Sequence, residues 1–213
     1  MKYFDNKLEE PNKWQKYFYK MADVASEQSL CLSTKIGAVI VRDKMIVSTG
    51  YNGPPRGVNP CEYRCPECGS YLSIINGMLR KNMSRNYQID CMNCSKSFTI
   101  NDIFKEPKVC PRKRLNYEHG AGYEICPAVH AETNAIVQAA RLGVSTDGGT
   151  MYMTCSFPCE RCAGAIINAG IKECYGVYPF SKDSAKDTIE LTKVMFKASG
   201  VNIYLVDWEK IVS

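Results

Sequence analysis

The sequence predicts an α/β layer fold with a mostly parallel sheet and a small cysteine-rich insertion. In the second half of the chain, short β-branched runs alternate with helical patterns, which is typical of a parallel sheet covered by helices. The chain has 213 residues, 45% hydrophobic and 23% charged, so it can bury a core and is not expected to be globally disordered. Two CxxC pairs lie in one polar stretch and mark the insertion.

The first half of the chain predicts a helix followed by a β-hairpin. Apolar residues recur at helical spacing from residue 12 to about 29, and Asn12 is a typical helix N-cap. We interpret the following apolar residues of this helix as core: Trp14, Phe18, Met21, Ala22 and Ala25. Two apolar runs, 36–41 and 45–48, flank a polar turn at 42–44 and predict the hairpin.

The second half predicts three helices and three strands in alternation. The helices are expected at 130–142, 159–169 and 183–199, each followed by a glycine. The strands are expected at 150–154, 173–177 and 201–206. In this order His130 and Cys159 each open a helix, and helix N-termini stabilise the negative charge of a thiolate.

Two short motifs predict a catalytic zinc site. His130, Cys159 and Cys162 offer an imidazole and two thiolates, and three protein ligands leave the fourth zinc position to water. Glu132 lies two residues after His130 and is placed to move protons. The H-x-E…P-C-x-x-C spacing, with Pro158 before Cys159, is typical of zinc nucleobase deaminases. The alternative is a structural zinc clip, which needs neither the acid nor the proline.

The insertion predicts a zinc ribbon. Its two knuckles are Cys65/Cys68 and Cys91/Cys94, followed by β-like pieces near 71–75 and 97–100. A four-cysteine tetrahedral site is closed and hence structural. Without the ion, a segment this small and polar could not bury enough surface to fold. A nucleic-acid contact, a subunit contact and a stiffened insertion are all open roles for it.

Composition and charge argue against several partners. The first six residues lack an apolar signal core, and no run approaches the ~18 apolar residues of a membrane span. With most cysteines at metal-type spacings, we expect a reducing, cytoplasmic compartment and no membrane partner. The net charge of +5 is modest for a nucleic-acid binder. The basic cluster at 112–114 is either a local phosphate site or a solvated loop.

The sequence resembles the deoxycytidylate (dCMP) deaminase family along nearly all the chain outside about 62–109. The matching segments are TKIGAVI at 34–40, TGYNG at 49–53, HAE at 130–132 with NA at 134–135, PC at 158–159 with CA at 162–163, and IINAGIK at 166–172. The resemblance implies a cytidine-deaminase-like three-layer fold with a five-stranded mixed sheet flanked by helices. The catalytic domain would span 1–61 and 110–213, with the zinc ribbon inserted at 62–109.

The resemblance also implies a function: hydrolysis of dCMP to dUMP and ammonia, which supplies dUMP for thymidylate synthesis. His130, Cys159 and Cys162 would hold the catalytic zinc, and Glu132 would be the proton shuttle. The implied substrate contacts are Asn52, Ala131 and Ser156. Many members of the family are homohexamers activated by dCTP and inhibited by dTTP, bound with magnesium. The implied effector residues are Gly50, Tyr51, Gly53 and Arg56, although a loop so rich in glycine and proline could be a connector only.

Some phage-encoded members of the family hold a second zinc ion, which is structural. If this chain is also phage-encoded, its compartment would be the host cytoplasm. Cys31 and Cys61 match two ligands of that site. Where those relatives have a histidine and a glutamate, Cys110 and Cys126 are available here, with His119 in reserve. We therefore predict a four-cysteine site and three zinc ions in all, one catalytic and two structural. The alternative is scattered buried cysteines. We interpret the two remaining cysteines, Cys155 and Cys174, as buried strand residues.

Two rival functions share the zinc core. A deaminase acting on tRNA or single-stranded DNA could use the ribbon for binding, but the sequence lacks a basic, aromatic-rich stripe for stacking bases. A non-catalytic zinc-binding module would have no reason to keep Glu132 beside a three-ligand site.

Overall fold

The computed structural model describes residues 7–8, 10–58, 60–70, 72, 84, 86–105, 109–118, 121–178 and 186–212. The chain forms two compact units, the first made of 1–29, 35–52 and 129–213 and the second of 30–34 and 53–128. The ribbon boundaries predicted from the sequence fall inside the second unit, which also takes in segments on both sides of them. Among the described residues, no helix is both long and apolar enough to cross a membrane.

In chain order, the strands are β1 (Lys7–Leu8), β2 (Gly37–Arg42), β3 (Met45–Tyr51), β4 (Gln88–Asp90), β5 (Ser97–Thr99), β6 (Thr150–Met153), β7 (Glu173–Tyr178) and β8 (Asn202–Asp207). The α-helices are α1 (Lys13–Glu27), α2 (Ile100–Lys105), α3 (Pro111–Arg114), α4 (Ala131–Arg141), α5 (Glu160–Asn168), α6 (Lys186–Ser199) and α7 (Glu209–Val212). Single turns of 3₁₀ helix lie at Cys61–Tyr63 and Tyr123–Ile125.

The first unit is organised on a mixed sheet with the strand order β1-β8-β7-β6-β2-β3. β1, β8, β7 and β6 run parallel, whereas β2 is antiparallel to both of its neighbours. The five longer strands confirm the predicted fold class. The two-residue edge strand β1 adds a sixth that the sequence did not predict, because it is too short to show an alternating pattern.

Helices cover both faces of this sheet. Alternation along β2 sends Ala38 and Ile40 to one face, where they pack in a core cluster with residues of α4, α5 and α6. Val39 and Val41 point to the other face, into a second cluster with α1. The result is the expected three-layer arrangement, in which α4 and α5, the helices that carry the zinc motifs, lie on the same side.

Helix α1 begins as predicted, with Asn12 as its N-cap. The Asn12 side chain accepts hydrogen bonds from the backbone amides of Trp14 and Gln15, and the Gln15 side chain accepts one from the Asn12 backbone amide, which completes a capping box. The core prediction was partly wrong: Trp14 is 47% exposed and stacks on Phe18 at the edge of the buried stripe. Tyr19, which the apolar pattern passed over, is fully buried instead.

The second unit contains a two-stranded antiparallel sheet, β4 with β5, and a small core. Cys65 and Cys91 lie in that core with Leu72, Ile89, Ile100 and Ile103. The predicted piece at 97–100 corresponds to β5, whereas β4 was not predicted. Most of the predicted piece near 71–75 lies outside the described residues.

Candidate active site

The first unit brings His130, Cys159 and Cys162 together at two helix N-termini. His130 is the N-cap residue of α4, Cys159 is that of α5, and Cys162 lies in the first turn of α5. The Nδ1 atom of His130 is 3.4 Å from the Sγ atom of each cysteine. The hydrogen bond from Cys162, together with that from His130, lowers the pKa of the Cys159 thiol to about 4 despite its burial. Without a metal ion the site therefore favours negative charge on the Cys159 sulfur, while the hydrogen bond to Cys159 raises the pKa of Cys162.

These distances fit a zinc ion. Zinc–nitrogen bonds of about 2.0 Å and zinc–sulfur bonds of about 2.3 Å, arranged as a tetrahedron, separate the nitrogen from each sulfur by about 3.5 Å. The observed 3.4 Å separations are close to that value, and the three ligand atoms all lie within 4.8 Å of one another. Three protein ligands are the number found in catalytic rather than structural zinc sites.

Glu132 is the carboxylate of this site. It lies in the first turn of α4, two residues after His130, and is only 3% exposed. Burial raises the pKa of its carboxyl, and the nearby positive charge of His130 opposes that rise. A carboxyl with a raised pKa is a better proton acceptor and can return the proton afterwards.

The three predicted substrate residues all belong to the same unit as the predicted zinc ligands. Asn52 follows β3 and is 8% exposed; its Oδ1 accepts hydrogen bonds from the Ile36 amide at 2.9 Å and the Ser29 hydroxyl at 2.7 Å. Ala131 is fully buried at the start of α4, and Ser156 is half-buried in the segment after β6. Tyr51, the residue before Asn52, is bonded to α4: the side chain of Asn134 in that helix donates a hydrogen bond to the Tyr51 carbonyl at 2.7 Å.

The second unit assembles the ribbon cysteines as a four-sulfur group. Cys65, Cys68, Cys91 and Cys94 have all their Sγ atoms within 4.8 Å of one another. The Cys65–Cys94 and Cys68–Cys91 separations are 3.6 and 3.5 Å, close to the roughly 3.8 Å edge of a zinc–tetrathiolate tetrahedron. The residues therefore fit a closed structural zinc site.

The other predicted four-cysteine group is more loosely arranged. Among the described residues, ligand atoms lie within 4.8 Å of one another in two groups of three or more, and Cys31, Cys61, Cys110 and Cys126 belong to neither. The thiols are nevertheless neighbours. Burial raises the pKa of Cys61 to about 11; Arg64 opposes this rise, and the other three cysteines add to it. His119, the reserve ligand, lies outside the described residues.

Residues 12–177 match the family model described as the cytidine and deoxycytidylate deaminase zinc-binding region. The chain belongs to this family. The matched range contains His130, Glu132, Cys159 and Cys162 of the first unit. It also contains the four ribbon cysteines of the second unit.

Among named relatives within this deaminase family, the deoxycytidylate deaminase of Enterobacteria phage T4 is 36% identical over 201 residues, which are 90% of this chain and 93% of the relative. The deoxycytidylate deaminase of Enterobacteria phage T2 is 35% identical over 199 residues, with the same coverage of both chains. Among solved structures, the dCMP deaminase of cyanophage S-TIM5 in complex with dCMP and dUMP is 23% identical. It superposes with a TM-score of 0.54 over 92% of this chain and 98% of the other, which shows a shared fold.

The effector residues predicted for this deaminase fall in both units. Gly50 and Tyr51 end β3 in the first unit, whereas Gly53 and the exposed Arg56 lie in the second. Gly50 has a structural role in any case, because a Cβ there would lie 2.3 Å from the Ala131 carbonyl oxygen and 2.4 Å from the Ala135 nitrogen. Strand β3 thus packs directly on the helix that carries Glu132.

Sequence reasoning missed two side chains that touch the deaminase site. The Cys155 thiol donates to Oε1 of Glu132 at 3.7 Å, and the Thr133 hydroxyl lies 3.5 Å from the Cys162 sulfur. The prediction that Cys155 is a strand residue is wrong, because it lies two residues beyond the end of β6. Cys174, by contrast, is a fully buried residue of β7 as predicted. The one signal in the sequence was proximity: Thr133 directly follows Glu132, and Cys155 lies three residues before Pro158.

Proposed function

We propose that this chain hydrolyses dCMP to dUMP and ammonia. One observation supports this above all others: a buried carboxylate, Glu132, adjoins a three-ligand His/Cys group in a chain that is 36% identical to a phage deoxycytidylate deaminase. A structural zinc clip would have neither an open ligand position nor a use for a buried acid.

Glu132 performs the proton transfers. When bound, zinc supplies a Lewis acid that makes an attacking water more acidic. The Glu132 carboxylate takes a proton from that water as its oxygen adds to C4 of cytosine, and it delivers a proton to N3. It then transfers the second proton to the amino nitrogen, which leaves as ammonia while the water oxygen becomes O4 of dUMP. One buried group therefore acts in turn as base and acid.

We assign the sugar contact to Asn52 and the surroundings of the base to Ala131 and Ser156. The hydrogen bonds from Ile36 and Ser29 hold the plane of the Asn52 amide in one orientation. Asn52→Asp keeps the oxygen acceptor for those two donors and replaces the amino group. We expect it to raise KM for dCMP about tenfold or more, since a buried donor to a substrate hydroxyl is lost.

A parallel assay tests the function. The zinc-loaded protein is offered dCMP, dCTP, cytidine and a tRNA, and ammonia release is measured. We expect turnover of dCMP; release from tRNA alone would establish the nucleic-acid deaminase instead. Glu132→Ala should abolish turnover while the zinc content stays unchanged, and Glu190→Ala, a change on the exposed side of α6, serves as the control.

We propose that the chain holds three zinc ions, the third bound by Cys31, Cys61, Cys110 and Cys126. The site is supported by the effect of the other three thiols, which raise the pKa of Cys61. The buried Arg64 supports it as well. Its guanidinium lowers the pKa of Cys61, and it donates to the carbonyls of Gly69, next to the first ribbon knuckle, and of Ile125, next to Cys126. Metal analysis should find three zinc ions per chain and two in Cys31→Ser. One or two ions in the unmodified protein would contradict the count.

We also propose regulation by nucleotides and a homo-oligomeric, hexameric state, both from the family resemblance. dCTP with magnesium should activate and dTTP with magnesium should inhibit, with Gly50, Tyr51, Gly53 and Arg56 as the effector residues. The 43% exposure of Tyr51, whose carbonyl is bonded to α4, supports this assignment. Saturation curves with and without each nucleotide test it, with Arg56→Ala as the variant; light scattering gives the oligomeric state.

A further inference from the structure

Cys155 contacts Glu132 through its thiol but is not among the residues predicted to hold zinc. It lies between β6 and the Pro158–Cys159 motif, and its thiol points to the carboxyl of Glu132, 3.7 Å from Oε1. Sulfur hydrogen bonds are longer than those of oxygen, so this separation is a contact between donor and acceptor. Cys155 lies four residues before Cys159 and is not part of the Cys159/Cys162 CxxC pair.

The backbone under this thiol is held firmly against β7. The Cys155 carbonyl accepts a hydrogen bond from the Val177 amide at 3.0 Å. Beside it, a Cβ on Gly176 would lie 2.9 Å from the Cys155 oxygen and 2.0 Å from the Ser156 oxygen. The segment therefore approaches β7 as closely as a glycine allows, and the position of the thiol is set by the sheet.

The direction of the hydrogen bond follows from the surroundings. Burial raises the pKa of the Cys155 thiol well above its ordinary value, and the adjacent charge of Glu132 raises it further. The thiol therefore keeps its proton, and it is the donor to Oε1 of Glu132 in the structure. A donor on one oxygen limits rotation of the carboxyl about its last torsion, which is otherwise broad.

We propose that Cys155 is a positioning residue for Glu132: its S–H···Oε1 hydrogen bond holds the carboxyl in the orientation needed for proton transfer. This inference rests on the proposed function, since it takes Glu132 to be the proton shuttle. Cys155 acts through Glu132 and not on the substrate. Loss of the Cys155 thiol should therefore lower kcat and leave KM nearly unchanged, because misorientation of the Glu132 carboxyl affects the chemical step more than substrate binding.

Three variants of the zinc-loaded protein test the role. Cys155→Ala removes the donor, Cys155→Ser restores one, and Cys174→Ala removes an equally small, fully buried side chain from β7 as the packing control. We expect kcat for dCMP to fall about tenfold in Cys155→Ala with KM within about twofold, and to stay within about threefold of the unmodified protein in Cys155→Ser. The Cys174→Ala variant should keep its kcat. An unchanged kcat in Cys155→Ala, or an equal loss in all three variants, would overturn the proposal.

A second measurement needs no substrate. The S–H stretching band in the infrared lies apart from other protein absorption, and a hydrogen bond to a carboxylate lowers its frequency. The band of Cys155 is identified by its loss in Cys155→Ser and should move to higher frequency in Glu132→Ala. An unshifted band would show that no such bond exists. If the band shifts while the unmodified protein releases no ammonia from dCMP, the contact stands and the proposed function fails.

Discussion

The hydroxyl of Tyr19 donates a 2.8 Å hydrogen bond to the carbonyl of Gly176, joining helix α1 to strand β7 across 157 positions of sequence. Tyr19 is fully buried, and its ring meets that of Tyr152 edge to face. Gly176 is also the residue on which the Cys155–Ser156 segment rests. The helix on one face of the sheet therefore braces the strand that supports the active-site segment.

Tyr19→Phe removes this buried donor while keeping the ring. We expect the free energy of unfolding to fall by about 1–2 kcal/mol, since the buried carbonyl loses a hydrogen bond. Urea denaturation measures the change. Tyr17→Phe is the matched control. Tyr17 lies on the same helix but is 47% exposed, so the free energy of unfolding of this variant should change little. Equal effects of the two variants would contradict a structural role for the buried bond.

Local patterns carried much of the fold prediction. The Asn12 cap, the hairpin turn at Asp43 and Lys44 and the glycines after α4 and α5 all reflect interactions within a few residues, and each appears in the structure. The group of His130, Cys159 and Cys162 was equally visible, because these residues lie at the starts of two helices and their spacing shows in the sequence. Such features need no knowledge of the tertiary packing.

The features that the sequence did not predict depend on distant packing. The bond from Tyr19 to Gly176 and the contact from Cys155 to Glu132 join residues that no local pattern relates. Trp14 was wrongly assigned to the core, because helical spacing indicates a face but not its edges. Gly50 was predicted to be an effector residue, whereas its lack of a side chain is already required by the closeness of β3 to α4.

Gly176→Ala should destabilise the protein and reduce turnover. The added Cβ would lie 2.0 Å from the Ser156 carbonyl, so the backbone of the 155–156 segment must move and take the Cys155 thiol with it. We expect a loss of about 1–3 kcal/mol in the free energy of unfolding, as for other overpacked sites, and a lower kcat. The control is Gly164→Ala in α5, where the nearest atom is 3.6 Å away and alanine favours the helix. A tolerated Gly176→Ala would show that the segment has room to shift.

Thr133→Val should weaken zinc binding at the catalytic site. The Thr133 hydroxyl lies 3.5 Å from the Cys162 sulfur, and when the sulfur is a zinc-bound thiolate the hydroxyl is the donor. Loss of such an outer partner typically reduces metal affinity by about tenfold or more. Competition with a chelator measures the affinity, and Thr133→Ser, which keeps the hydroxyl, should retain it. Equal affinity in the valine variant would show that the contact does not support the ligand.

Cys65→Ala should release one zinc ion and unfold the ribbon. Cys65 and Cys91 are predicted zinc ligands and also members of the small core with Leu72 and Ile89, so metal loss and core loss should coincide. A core of this size cannot remain folded without its ion. Hydrogen exchange should show lost protection at β4 and β5 and retained protection at β6, with one fewer zinc ion per chain.

The matched control for the ribbon is Met92→Ala. Met92 lies between Cys91 and Cys94 in the same knuckle, but it is 84% exposed and adds nothing to the core. We expect full zinc content and unchanged protection at β4 and β5. If Cys65→Ala kept its zinc and its protection, the ribbon would be stabilised by its apolar contacts alone and the four sulfur atoms would not be a metal site.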